Sequence, residues 1–170
     1  MELEDRVSAL EARLTELTAR LDQPGGPRSP EPMPRTDMYW ALDGLRARVA
    51  EMAGGAVLFT GTVDLPTGEH YDWQYGTPVE ALLDDDWATW AGTLGALGHP
   101  VRLQLLRRVL DGVRTAADLA GEEGFGTTGQ LYHHLRQLVS AGWLHAARGR
   151  YAVPGERVVP LLVILSGARR

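Results

Sequence analysis

The side chains best suited to chemistry lie between residues 127 and 144. If this stretch is helical, Gln130, His133 and Gln137 share one stripe, while its apolar residues share another. Those apolar residues are Leu131, Leu135, Leu138 and Val139. A glutamine on the free stripe can pair bidentately with adenine in the major groove of DNA. We therefore predict that Gln130 contacts a base, the alternative being a solvated helix residue.

Polar groups near the start of this helix suit phosphate binding. Thr127 or Thr128 caps the helix, and both hydroxyl groups can also bind phosphate at the helix amino end. On the first turns, Tyr132 and His133 are predicted to contact DNA. The adjacent His134 is predicted to be a partly buried packing residue. A metal site made of His133 and His134 is not expected, because neighbouring helical residues point some 100° apart.

Arginines supply further candidate contacts. Two strands, about residues 143–147 and 150–153, flank Arg148-Gly149 and predict a small hairpin, or wing, over about residues 143–153. Arg148 and Arg150 are predicted to contact DNA from this wing, and Arg136 is either a phosphate contact or a solvated residue. The complete set of predicted DNA contacts is Thr127, Thr128, Gln130, Tyr132, His133, Arg136, Arg148 and Arg150.

Two further helices must position these residues. The first begins at His99-Pro100, since proline is tolerated at a first helical position. Its apolar stripe consists of Val101, Leu105, Leu106 and Val109. The second opens at Thr115, a cap residue with Asp118 in the capping-box position. The predicted order is therefore helix, helix, recognition helix at about residues 127–141, and wing.

This segment, residues 97–154 of the 170, resembles the ArsR-type winged helix-turn-helix regulators. The matching pieces are Leu97 to Leu106, Thr115 to Leu119, Leu131 to Leu135, and Ala141-Gly142. The resemblance implies a dimeric transcription regulator whose recognition helix enters the major groove and whose wing approaches the minor groove or the backbone. The chain departs from the family pattern at Gly129 and Tyr132, where small hydroxyl residues are usual. It also lacks the cysteine ligands of the family's thiolate metal sensors, so neither metal sensing nor base preference carries over.

Composition removes most enzyme classes. The chain has no cysteine and no lysine, so that all 17 basic residues are arginine. Thiolate metal sites, cysteine nucleophiles, Walker A loops and Schiff-base lysines are therefore excluded. None of the four serines stands in a Gly-x-Ser-x-Gly elbow. We expect no enzyme activity, no catalytic residue, no metal site and no cofactor.

The charge of the chain is divided unevenly. Residues 37–96 contain ten acidic residues and two arginines, residues 97–170 contain five acidic residues and ten arginines, and residues 1–36 contribute the remaining −2 of the net charge of −5. The first two of these segments carry −8 and +5, respectively. The basic half is the half with the DNA-binding pattern.

Residues 1–22 have the spacing of a short coiled coil. Their core positions, which are the predicted dimerisation residues, are Leu3, Val7, Leu10, Leu14, Leu17 and Leu21. Arginines at the g positions favour a parallel pair, because Arg6 would then meet Glu11 of its partner. The alternative is an amphipathic helix packed on its own domain. Residues 23–36 contain five prolines and two glycines and are predicted to be a linker.

Residues 37–96 predict a helix, a β-hairpin and a second helix. A helical stripe runs from Met38 through Leu42 to Met52, and alternating residues then flank a turn at Pro66 to Glu69. Because an isolated hairpin is marginal in water, it must pack on the helices or join a hairpin across a dimer. The second helix runs from about Pro78 to Leu97, with an interruption near residues 84–86.

Two features of this middle region leave alternatives open. Its aromatic residues either pack in the core, which is favoured, or line a small-molecule or partner surface. The aromatic residues concerned are Trp40, Tyr71, Trp73, Tyr75, Trp87 and Trp90, of which the first four are the candidate residues for that surface. The acidic run Asp84-Asp85-Asp86 either binds a metal or, as favoured, complements the amino end of a helix.

The last segment, residues 155–170, is predicted to be an apolar helix. It is apolar nearly all round, so it packs either between subunits, as a second dimer contact, or against the middle region. Its apolar run is interrupted by Pro160 and is too short to span a bilayer. The charged start of the chain has no secretory signal pattern. We therefore expect a cytoplasmic protein without a membrane partner.

The expected fold is mainly α with small β elements: a winged helix-turn-helix preceded by a helix and β-hairpin region and an N-terminal coiled-coil helix. The expected function is sequence-specific binding of double-stranded DNA by a homodimeric transcriptional regulator, more a repressor than an activator, at an inverted repeat. A small-molecule effector is compatible with this role. The alternative is a protein-interaction or assembly module in which the winged helix and the aromatic hairpin bind a protein partner.

Overall fold

The computed structural model describes Arg13 and residues 39–169. The coiled-coil prediction for residues 1–22, except Arg13, and the linker prediction for residues 23–36 lie outside the described residues. Arg13 is helical and exposed. The chain divides into two compact units, Met1–Asp43 and Gly44–Arg170. The described part is a mixed α/β structure with two small antiparallel sheets.

Seven α-helices and four strands make up the described part of the chain. In chain order they are α1 (Trp40–Arg48), β1 (Ala56–Asp64), β2 (His70–Pro78), α2 (Val79–Asp84), α3 (Ala91–Leu97), α4 (Pro100–Leu110), α5 (Ala116–Ala120), α6 (Thr128–Ser140), β3 (His145–Ala147), β4 (Arg150–Ala152) and α7 (Gly155–Gly167). A 3₁₀-helix, Trp87–Trp90, leads directly into α3.

Helix α1 ends earlier than its apolar spacing predicts. The predicted stripe extends to Met52, but the helix stops at Arg48, and Leu42 and Met52 are exposed. Gly54 and Gly55 then adopt φ of +78° and +73°, a left-handed backbone that turns the chain into β1. The prediction that the helical stripe continues to Met52 is therefore wrong.

The β1–β2 hairpin has the predicted position and turn. Its strands pair from Ala56 opposite Pro78 to Asp64 opposite His70. One of its faces packs on α7 at two close approaches. A Cβ atom added to Gly61 would lie 2.7 Å from Val159 Cγ1, and one added to Gly155 would lie 3.0 Å from the Tyr71 ring. The hairpin is thus stabilised by packing on a helix of the same chain.

This close approach makes Gly61 sensitive to substitution. We expect Gly61→Ala to destabilise the fold by about 1–3 kcal/mol, because the added methyl group overlaps a buried valine. Gly76→Ala is the matched control, since its Cβ would meet Leu58 Cδ1 at an ordinary 3.5 Å. Urea unfolding of both variants measures the difference. Equal unfolding midpoints would contradict the packing described here.

The predicted interruption of the second helix is confirmed. Asp85 has an extended backbone with ψ of 147°, which ends α2. Asp86 then caps the 3₁₀-helix, and its carboxylate accepts a hydrogen bond from the Ala88 N–H at 3.0 Å. The acidic run therefore contributes a helix cap, as the favoured interpretation predicted.

The apolar core lies among helices α4, α5 and α6, the residues after α6, and α7. Its fully buried large side chains include Leu105, Leu131, Leu135, Leu138 and Trp143. The Trp143 indole N–H donates a hydrogen bond of 2.8 Å to the Thr93 carbonyl, which ties α3 to this core. Val139, which was predicted to share the core stripe, is 37% exposed. The positions of Leu131, Leu135 and Leu138 fill the buried face and leave Val139 at its edge.

The strands β3 and β4 are shorter than predicted because the chain first closes the end of α6. Gly142 has φ of +73°, and the N–H groups of Trp143 and Leu144 both donate to the Leu138 carbonyl, at 2.9 and 3.2 Å. These hydrogen bonds satisfy the helix end in place of strand pairing. The first strand consequently begins at His145.

Helix α7 packs against the middle region, which is one of the two predicted alternatives. Val158, Val159 and Leu161 are buried, whereas Ile164 and Leu165 remain 37% exposed. Between α4 and α7 lies an apolar groove of about 360 Å³. It is lined by Leu103, Gln104, Leu106, Arg107, Leu110, Leu161, Leu162 and Leu165.

Candidate nucleic-acid interface

The amino end of α6 is organised by a capping box. Thr127 is the cap residue: its Oγ1 accepts a hydrogen bond from the Gln130 N–H at 3.4 Å, and Gln130 Oε1 accepts one from the Thr127 N–H at 2.8 Å. Two backbone donors at the helix start are thereby satisfied. The N–H groups of Thr128 and Gly129, at the first two helical positions, have no partner within the helix. This helix end can therefore receive an anionic group.

The outer face of α6 carries the predicted polar residues. Gln130, His133 and Gln137 are exposed, as are Tyr132 and Arg136. The Arg136 Nε donates a 3.3 Å hydrogen bond to the Tyr132 carbonyl, which directs the arginine along the helix surface. The inner face of the same helix is the leucine row of the core. Helix α6 thus has one packed face and one free face, as predicted.

His134 lies at the boundary between these faces, as predicted. It is half-buried, its ring centroid is 4.5 Å from that of His99, and its Nδ1 is buried without a hydrogen-bond partner. Burial, followed by the positive charges of His99, His133 and Arg102, lowers the pKa of His134 below its ordinary value of 6.5. The neutral form of this side chain is therefore the form suited to the folded state.

The lowered pKa of His134 predicts a pH-dependent stability. The unfolded chain binds a proton near pH 6.5, whereas the folded chain does so only at lower pH, so the free energy of unfolding falls as the pH drops below 6.5. We expect His134→Gln to flatten this decline in urea titrations between pH 7.5 and about 5. His145→Gln, at an exposed histidine, is the control. An unchanged slope in His134→Gln would contradict the prediction.

The pKa of His70 shifts in the opposite direction from that of His134. Hydrogen bonds first to Asp64 and then to Asp72 raise its pKa. Its stabilising effect is present below pH 6.5 and is lost as the pH rises through the folded value, so it opposes the His134 effect. The side chain is exposed, and solvent weakens its contribution.

The tip of the β3–β4 hairpin has an unusual backbone. Arg148 and Gly149 have φ of +51° and +75°, the pattern of a two-residue type I′ turn. Arg148 is the one non-glycine residue with positive φ among residues 39–169. Asparagine or glycine normally fills such a position, since arginine there costs about 1–2 kcal/mol. Arg148 and Arg150 both project from an exposed tip.

The arginines of the basic half fall into two groups. Arg102 bonds to the carbonyls of Gly95 and Ala96, Arg108 pairs with Glu122 and Asp111, and Arg114 pairs with Glu69. By contrast, the three predicted DNA-contact arginines, at positions 136, 148 and 150, form no ion pair within the described part of the chain. Arg157, which lies over the Trp143 ring, and Arg169 likewise form no ion pair there, so this property is shared by the predicted contacts but does not single them out.

Sequence reasoning missed a third strand segment beside β4. Thr115 forms an antiparallel bridge with Arg150, and the Tyr151 N–H donates a 2.7 Å hydrogen bond to the Arg114 carbonyl. The segment is too short for an alternating pattern to indicate it. It connects the start of α5 to the turn end of strand β4.

The four candidates for a small-molecule or partner surface do not behave alike. Tyr71 and Trp73 are half-buried on the packed side of the β1–β2 hairpin. Tyr75 is exposed, with its ring centroid 5.8 Å from that of Phe59. Trp40 is exposed on α1. Core packing, the favoured prediction, is therefore wrong for Trp40 and Tyr75, whereas Tyr71 packs against the core. The ligand role of these residues stays a prediction.

No helix in the described part of the chain combines the length and apolar character needed to cross a membrane. No group of three or more histidine and carboxylate side chains there is placed to hold a metal ion. In comparisons with known proteins, no family model, no curated protein and no solved structure matches this chain.

Proposed function

We propose that residues 97–154 form a winged helix-turn-helix that binds double-stranded DNA, and that the chain is a homodimeric transcriptional regulator. The order α4, α5, α6, β3, β4 supports this proposal, together with the strand segment at Thr115 that extends the small sheet. In this arrangement α6 is the recognition helix and β3–β4 is the wing. Repression at an inverted repeat is the regulatory mode that we propose, and a cytoplasmic location follows from it.

The observation that carries the proposal is the wing tip. Arg148 has a strained left-handed conformation at an exposed turn, a conformation that asparagine adopts with less strain. Stability does not account for this choice, whereas contact with a DNA phosphate or the minor groove does. Arg150, one residue beyond the turn, adds a second exposed positive charge.

Helix α6 supplies the other half of the interface. Its open N–H groups at Thr128 and Gly129 suit a phosphate, and its outer face presents His133 and Tyr132 to base edges. Gln130 belongs both to the capping box and to the outer face of α6. Its Oε1 is held by the Thr127 N–H, so bidentate pairing with adenine requires release of the capping box, whereas its amide N–H groups can donate without that change.

Substitution of Gln130 separates these roles. Gln130→Glu can keep the capping box, because glutamate is equally suited to that position, but it replaces the amide donor with a charge that phosphates repel. We expect DNA affinity to fall about ten-fold or more with little loss of stability. Gln130→Ala should lose about 1 kcal/mol of stability as well. Unchanged DNA affinity in both variants would remove Gln130 from the interface.

Two features support a dimer. The heptad spacing of residues 1–22 favours a parallel pair, and the α4–α7 groove with exposed Leu165 offers a second apolar contact. A two-fold dimer would present its recognition helices roughly 34 Å apart, or a multiple of that distance.

The direct test is selection of genomic fragments by the purified full-length chain at low salt, followed by footprinting. We expect a protected inverted repeat, and an affinity whose logarithm falls linearly with the logarithm of salt concentration. Arg48→Ala is a suitable control, since this exposed arginine lies on α1, outside residues 97–154 and outside the α4–α7 groove. Absence of any bound fragment would overturn the proposal.

A further inference from the structure

An exposed apolar row follows the acidic run of the middle region. We name Leu83, Trp87, Trp90 and Leu94 the tryptophan face. Their exposed fractions are 65%, 60%, 37% and 51%, whereas tryptophan in folded proteins is mostly buried. Two tryptophans and two leucines exposed within twelve positions form an apolar patch of the kind that marks interaction sites.

The spacing of these residues makes the row continuous. Trp87 and Trp90 are three residues apart in the 3₁₀-helix, where such side chains eclipse. Trp90 and Leu94 are four residues apart where that helix continues into α3, and such residues lie on one side of an α-helix. Trp87, Trp90 and Leu94 therefore run along one side of a single helical segment, and Leu83 precedes that segment at the end of α2.

This segment is held firmly from another side. Ala96 and Leu97 of α3 are buried, and the Thr93 carbonyl accepts the hydrogen bond of the buried Trp143. The Trp87 indole N–H in turn donates a hydrogen bond of 2.6 Å to the Leu82 carbonyl. The apolar row is thus displayed on fixed backbone, so a partner would meet it with little ordering cost.

The charges around the row are of one sign. Residues 49–101 contain eight acidic residues and no arginine or lysine. Of these, Glu80, Asp84, Asp85 and Asp86 adjoin the tryptophan face, and all four are exposed. Within residues 39–169 none of the four forms an ion pair. Their negative charge is available to a partner.

We propose that the tryptophan face binds a cationic amphipathic helix of another protein. An apolar stripe would cover the row, lysine or arginine would pair with the acidic rim, and the indole rings would add cation–π contacts. The same rim repels nucleic acid and anionic membranes. A second copy of this face would place four carboxylates against four others, so self-association through it is disfavoured.

The test uses designed peptides of about 18 residues, or about five helical turns. One carries leucine and lysine at amphipathic spacing, the second has the same composition in scrambled order, and the third replaces lysine with glutamate. Isothermal titration against the full-length chain should detect binding of the first peptide alone. Equal binding of the scrambled peptide would overturn the proposal, because binding would then depend on the charge of the peptide and not on its apolar helical stripe.

Matched variants locate the peptide. Trp87→Ser should weaken binding about ten-fold or more, and Leu94→Gln, which leaves both indoles in place, should also weaken it. Asp84→Asn with Asp85→Asn should weaken binding about five-fold, whereas Glu123→Gln with Glu156→Gln removes equal charge at exposed sites outside residues 49–101 and should leave it unchanged. Circular dichroism checks the fold of each variant. Equal losses in the two charge pairs, or full binding by Trp87→Ser and Leu94→Gln, would contradict the proposal.

A photo-crosslinker at position 94 identifies the natural occupant in extracts of the native cell. A crosslinked segment with lysine or arginine at helical spacing is expected. Crosslinking to this same chain, or to an acidic or uncharged segment, would overturn the assignment of the partner's chemistry.

Discussion

Replacing Arg148 with asparagine is expected to weaken DNA binding about ten-fold while stabilising the fold by about 0.5–1 kcal/mol. The two effects have opposite signs because the arginine supplies a phosphate contact at a strained position. Asparagine adopts φ of +51° more readily and forms a favoured Asn-Gly turn with Gly149. Fluorescence anisotropy over a range of salt concentrations should also show the salt slope falling by about 1.

Arg148→Ala is the companion variant. It removes the same charge but gains little at a left-handed position, so its DNA affinity should fall equally without the gain in stability. If Arg148→Asn stabilises the fold and binds DNA as tightly as the native chain, the arginine is not a DNA contact. A destabilised Arg148→Asn would contradict the assignment of strain.

Replacing Trp143 with alanine is expected to cost about 3–5 kcal/mol of unfolding free energy. Trp143 is 1% exposed, its indole N–H holds the Thr93 carbonyl at 2.8 Å, and the Arg157 guanidinium lies 5.1 Å from its ring centroid. The substitution removes the packing of Trp143 on α3 and leaves the part-buried Thr93 carbonyl without this donor. Urea unfolding measures the loss.

Trp87→Ala provides the matched control for this prediction. The same atoms are removed, but Trp87 is 60% exposed, so we expect a loss below about 1 kcal/mol. Similar losses in the two variants would contradict the prediction that burial of Trp143 in the core causes its larger effect. The comparison also separates the structural tryptophan from those of the tryptophan face.

The sequence predicted most of the elements where local signals were strong. Thr127 and Gln130 mark the start of α6, Pro66 to Glu69 mark the hairpin turn, and the leucine spacing marks the buried face of α6. These signals depend on residues a few positions apart. The interrupted helix near Asp85 was predictable for the same reason.

Long-range contacts could not be predicted in this way. The bridge between Thr115 and Arg150, the ion pair of Arg114 with Glu69, and the packing of Gly61 on Val159 each join distant parts of the chain. Local patterns also overstated burial at Met52 and Val139, because apolar spacing indicates a face but not whether another element covers it. The outer face of α6 was predictable as a free face, whereas the engagement of the Gln130 amide in the cap depends on a side-chain conformation.

Arg114 contacts both the β1–β2 turn and strand β4. Its guanidinium holds Glu69 of the turn, and its carbonyl holds the Tyr151 N–H. Because one residue serves both, local opening of either hairpin weakens the other, and the two belong to a single cooperative unit. Amide exchange at Tyr151 should therefore follow the opening of the whole unit rather than fraying of a surface loop.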